Sequence, residues 1–202
     1  RPFLDGEPLR ALLRTAALRH TSAESAVLLG IARDLLSQLT ALHVRAAREA
    51  SPHASGSVHP DSIFVGLDGR VHLLDAGVGA AASAREPWRS DPQRVGYFAP
   101  EQIELRGVVD ARTDVFALGV ILWEAFGNRR LFPGNDAKTA RERVQKGAIA
   151  RLDATGRSSV PGTSTEIADL IARALERDPA ARFQSAEEMG AALVRLDCAD
   201  ST

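Results

Sequence analysis

Residues 55–77 read SGSVHPDSIFVGLDGRVHLLDAG. Two short apolar runs, Ile63 to Val65 and Val71 to Leu74, flank Leu67-Asp68-Gly69-Arg70. An Asp-Gly step between apolar runs predicts two strands closed by a turn, because Gly adopts positive φ without steric cost. A polar loop enters this hairpin, and Asp75-Ala76-Gly77 leaves it.

Helices are expected on both sides. Upstream, Glu7 to Arg14 reads as a short helix with Leu9, Leu12 and Leu13 on one side. Thr21-x-x-Glu24 is a capping box, and Leu28, Ile31, Leu35, Leu39 and Leu42 then recur every three to four residues. That helix is expected to end near Arg48, before Ser51-Pro52. Downstream, residues 79–95 carry little periodicity and read as a loop. Ala111 to Phe126 is apolar on nearly every face, which predicts a helix buried all round. Asn135 to Gln145 reads as a more polar, exposed helix. Thr163-x-x-Glu166 and Ser185-x-x-Glu188 are capping boxes opening two more helices. Ile167, Leu170, Ile171 and Leu175, then Met189, Leu193 and Leu196, are their expected inward faces.

The chain has 202 residues, enough for a substantial core in a single domain, 1–202. Its formal net charge of -1 gives no general attraction to nucleic acid or to anionic membranes, so neither is an expected partner. The longest uninterrupted apolar run, Val115 to Trp123, is too short to span a bilayer. The single cysteine, Cys198, excludes an internal disulfide and agrees with a cytoplasmic setting. Only Lys138 and Lys146 are lysines; the remaining basic side chains are arginines, a composition suggestive of a GC-rich bacterial gene.

The layout resembles the C-terminal lobe of the protein kinase family, as found in bacterial serine/threonine kinases. There a catalytic loop, H-R-D-x-x-x-x-N, leads into a hairpin that ends in D-F-G. The resemblance is most specific at Tyr97-Phe98-Ala99-Pro100-Glu101, at residues 113–119 (TDVFALG) and at residues 178–183 (DPAARF). It implies a mainly α fold: a helical bundle around a buried central helix at 111–127, with one small β-hairpin. Residues 1–6 would be the remnant of the hinge, 55–77 the catalytic-loop region, and 78–101 the activation-segment equivalent. The N-terminal lobe would be absent.

Carried over residue by residue, the resemblance places Ser57 at the catalytic Asp, His59 at a phosphate-contacting Lys, and Ser62 at the metal-binding Asn. Ser55 and Gly56 replace His and Arg, Ala76 replaces Phe, and Asp75 is retained. An alternative register makes Asp61 the base, but it puts the Asn position on Gly66, inside the hairpin. Pro60, two residues before Ser62, fits the first register. A serine hydroxyl is a poor base, and losing a base costs about 10²–10⁴-fold in rate. No lysine precedes Lys138 and no G-x-G-x-x-G occurs. Without the Arg that Gly56 replaces, Ser83 and Ser90 are not expected to act as phosphorylation switches. The structural groups implied are Glu101 paired with Arg182, and Asp114 accepting hydrogen bonds from the backbone of the 55–57 loop.

These residues lead to the expectation of a catalytically inactive kinase-like module that binds or scaffolds proteins, with no cofactor and no metal. One rival is the C-lobe of an active kinase using Asp75 and a base such as Asp61; another is a purely structural module. Phe64, with Ile63 and Val65 behind it, would form an apolar floor, and Trp88 is either a local packing residue or an aromatic anchor for a partner. The expected partner is another protein, a second copy or an upstream domain covering that floor. His53, His59 and His72 read as loop and surface histidines.

Overall fold

The computed structural model describes residues 5–19, 24–48, 58–74, 91–104, 107–152 and 163–199. Its order is β1 (Gly6–Pro8), α1 (Leu9–Leu18), α2 (Ser25–Arg48), β2 (Ile63–Gly66), β3 (Val71–Leu73), α3 (Pro92–Val95), α4 (Pro100–Ile103), α5 (Ala111–Gly127), α6 (Ala137–Lys146), α7 (Thr165–Ala174) and α8 (Ala186–Ala199). A 3-10 turn, Pro179–Ala181, joins the last two helices.

α5 is the axis of the molecule. Fourteen of its seventeen residues are buried, because Val115, Phe116, Leu118, Val120, Ile121, Leu122 and Phe126 point to different sides. The Asp110 carboxylate accepts from the Arg112 N–H at 2.9 Å and caps its start. Asn128, with φ of 48°, closes its end in the left-handed conformation that Asn tolerates better than most residues. A β-carbon on Gly119 would lie 3.0 Å from that of Ala174, so the absence of a side chain there lets α5 and α7 approach closely. α2 lies against α8 and α5 through Leu28, Leu35, Leu36 and Leu39. By length and composition α2 could cross a membrane; in this fold its apolar stripe joins the core.

The sheet has three strands, in the order β1-β2-β3, all antiparallel. The hairpin closes as its Asp-Gly step requires, with Gly69 at φ of 78° and the Gly66 N–H donating to the Arg70 carbonyl at 2.8 Å. β3 is anchored on its outer edge by one side chain. The Gln38 amide donates to the Val71 carbonyl at 2.7 Å and accepts from the Leu73 N–H at 2.9 Å.

Four expectations are corrected. The hairpin is joined by a third strand: Gly6–Pro8 is extended, so α1 begins at Leu9 rather than Glu7. Pro8 lacks an N–H, which suits an edge strand. Within the expected loop 79–95, residues Pro92–Val95 form a helical turn capped by Asp91. The cap of α7 is Ser164, not Thr163, with its hydroxyl 3.4 Å from the Ile167 N–H. The apolar floor is also smaller than expected. Ile63 is fully buried in the core of its own lobe, whereas Phe64 and Val65 are half-buried. β1 lies alongside these two, pairing Pro8 with Phe64 and Glu7 with Val65.

Candidate functional site

The loop leading into β2 is built around Ser62. Its hydroxyl donates to the His59 carbonyl at 2.8 Å and accepts from the His59 N–H at 3.1 Å. The Ser62 N–H also donates to the His59 carbonyl, at 2.9 Å. Ser62 therefore closes a turn with a short hydroxyl. His59 is buried rather than on the surface, because this turn folds its ring inward, where Nδ1 lies 3.7 Å from the Asp61 carboxylate. His72 is half-buried on β3. Asp61, the alternative base, is held by Arg10 of α1, whose Nε lies 2.7 Å from both carboxylate oxygens.

Asp114 lies in the first turn of α5. Its carboxylate meets His43 Nε2 of α2 at 2.8 Å and is almost fully buried. Residues 55–57, expected to donate backbone N–H groups to it, lie outside the described residues. Ser57, Asp75, Ala76, Ser83, Trp88, Ser90 and His53 lie there too.

Glu101 and Arg182 form a two-pronged pair, with Nη1 to Oε1 at 2.7 Å and Nη2 to Oε2 at 2.8 Å. Arg182 also donates to the carbonyls of Glu176, Arg112 and Arg177. The Thr113 hydroxyl donates to Glu101 at 3.1 Å. A β-carbon on Gly107 would strike the Glu101 carbonyl oxygen at 1.9 Å, so only glycine allows the chain to pass so close. The fork therefore fastens the segment ending at Glu101 to the start of α5 and to the turn before α8.

A second polar cluster went unrecognised in the sequence. Tyr97 is buried and donates its hydroxyl to Glu124 Oε2 at 2.6 Å. The other Glu124 oxygen accepts from Arg130 Nε and from the Leu131 N–H, both at 3.0 Å. Burial pushes the Glu124 carboxyl above its ordinary value, against the opposing pull of Arg130, Tyr97 and the Leu131 N–H. Burial and the Glu124 charge push the Tyr97 phenol up as well. Arg130 lies 4.9 Å over the Tyr97 ring, and Arg10 lies 5.7 Å from it. Both guanidiniums reach Gln93 of α3, with Arg130 Nη1 at 3.1 Å and Arg10 Nη1 at 3.5 Å from its side-chain oxygen. Together they enclose a pocket of about 450 Å³ beside Pro60. The only signal for this site in the sequence is the Gly-Tyr-Phe-Ala-Pro-Glu stretch; nothing in the sequence groups its arginines.

The family model described as protein kinase domain matches residues 4–192. Serine/threonine-protein kinase PknL of Mycobacterium tuberculosis is 33% identical over 153 residues, covering 71% of this chain and 36% of that protein. Serine/threonine-protein kinase Pkn1 of Myxococcus xanthus is 36% identical over 194 residues, 91% of this chain and 25% of that protein. PknB of Mycobacterium leprae is 29% identical over 153 residues, 71% of this chain and 24% of that protein. The chain thus spans no more than about a third of these relatives. The expectation that the chain is not an enzyme is overturned: the matching domain and the relatives are those of kinases. Substitutions in a catalytic loop lower a rate, and by themselves they do not remove the positioning that phosphoryl transfer depends on most.

Proposed function

This chain belongs to the protein kinase family, and from that premise we propose that it forms the helical lobe of a serine/threonine protein kinase acting with Mg·ATP. In the reaction the bond between the γ-phosphorus and the ADP oxygen breaks. A new bond forms to a serine or threonine oxygen of a protein, and the hydroxyl proton leaves to water or to the transferred phosphate. Such a reaction needs little covalent chemistry from the protein; alignment and charge dominate.

The observation that carries the reading is the Glu101–Arg182 fork. It is buried and has no access to substrate, yet it fixes residues 97–101 against α5. Tyr97 and Pro60 both line one pocket there. A rigid wall beside the loop that precedes β2 is what presenting a polypeptide hydroxyl to that loop requires.

Ser57 at the base position makes the reaction slow. With a base worth about 10²–10⁴-fold, turnover falls well below the roughly 1–100 s⁻¹ of ordinary kinases. The test is incubation of the full-length protein with Mg·ATP labelled at the γ-phosphate and a serine-containing protein substrate. Label is expected on serine or threonine, and it is expected to vanish with Asp75→Asn, which weakens a carboxylate ligand for Mg²⁺. Label that persists unchanged in Asp75→Asn, or no label with folded protein, would contradict the reading.

A further inference from the structure

The pocket beside Pro60 carries more positive charge than its fold requires. Arg10, Arg14, Arg129 and Arg130 all line it, with Leu13 and Tyr97 as apolar wall. Asp61 takes Arg10, and Glu124 takes Arg130. Arg14 and Arg129 are exposed and have no carboxylate partner among the described residues. Arg129 is instead held over the Trp123 ring, 4.6 Å from its centre, which fixes its position without neutralising it. A neighbouring depression of about 340 Å³ shares Arg129 and Arg130 and adds Arg143. Arg143 donates to the Pro133 carbonyl. The two hollows thus form one track of arginines, on a chain whose overall charge is -1.

We propose that this track recognises acidic residues in the polypeptide substrate, so that the kinase selects serines and threonines flanked by Asp or Glu. The inference rests on the function proposed above and deepens it. Guanidinium forks match carboxylates in shape and charge. Leu13 and Ala17 offer apolar surface for the methylene stems of Asp and Glu. Pro60, in the loop leading into β2, lines the pocket, so a peptide hydroxyl presented at that loop places neighbouring residues of the same peptide against Arg14 and Arg129. A nucleic acid would call for a longer run of phosphate contacts and a basic surface extending beyond the two hollows.

Two fluorescent peptides test this by anisotropy, each with one central serine, one flanked by Glu and the other by Gln. The full-length protein is expected to bind the Glu peptide about tenfold more tightly at low salt, with the preference shrinking as salt rises. Arg14→Gln with Arg129→Gln should weaken the Glu peptide by about threefold to tenfold and leave the Gln peptide unchanged. Both residues are exposed, so thermal melting of the double variant should match the parent. Equal binding of the two peptides, equal loss of both in the variant, or displacement by a thymidine oligonucleotide of the same charge would overturn the proposal. Phosphate transfer to the same peptides reads the catalytic function separately. Selective binding without transfer would remove the kinase reading and keep the acidic specificity.

Discussion

A guanidinium has five N–H donors, and at Arg182 all five meet an oxygen. Two go to Glu101 and three to backbone carbonyls, and the Phe116 ring lies 4.9 Å beneath. Such completeness is what makes a fully buried cation tolerable. Removing one partner strands the other, so Glu101→Ala is expected to cost about 3–5 kcal/mol, read from urea unfolding. Arg182→Lys should also destabilise, since an ammonium has three donors and no fork. Glu124 gives a pH signature. Its folded value lies above the ordinary 4.5, so its stabilising contribution is complete below about that pH and is lost as pH rises through the folded value. Glu124→Gln is expected to flatten this slope, so that the parent loses stability relative to the variant as pH rises above about 4.5. Parallel curves for the two proteins would count against it.

At the scale of elements, the Gln38 side chain hydrogen-bonds α2 to the outer edge of β3. Gln38→Leu leaves a carbonyl and an N–H without that partner, at a cost of about 1–3 kcal/mol. Faster amide exchange at Leu73 should report it before any global change. The elements also show where sequence reasoning reached and where it stopped. α5 was legible because apolarity on every face has one physical meaning, and the hairpin because Asp68-Gly69 admits few backbone paths. β1 was not legible. Three residues carry no periodicity, and their partners on β2 lie nearly sixty positions away, so only tertiary pairing reveals the strand. The α7 cap slipped by one residue because Thr163 and Ser164 are both good caps and local sequence cannot choose between them. The arginine pocket was hidden for a similar reason. α1, α3 and the end of α5 must first be folded together before Arg10, Arg14 and Arg130 become neighbours.

For the whole molecule, two polar anchors divide the work around one apolar axis. The Glu101–Arg182 fork secures one end of the segment 97–101, and the Tyr97–Glu124–Arg130 cluster secures the other. Between them the wall of the pocket is fixed relative to α5, and Pro60 lines the same pocket. Gly119→Ala tests how rigid this axis is. The added methyl meets Ala174 at 3.0 Å and Leu175 at 3.2 Å, so an overpacking loss of about 1–3 kcal/mol is expected from thermal unfolding. The proposed chemistry turns on Ser57, the residue that the resemblance assigns to the family's base position. The most direct measurement is the steady-state rate of phosphate transfer from Mg·ATP by the full-length protein, compared with its Ser57→Asp variant. Slow transfer by the parent, raised about 10²–10⁴-fold in kcat by the carboxylate, is the expected result. No transfer by either protein, when both melt alike, would contradict a kinase lobe poised for catalysis.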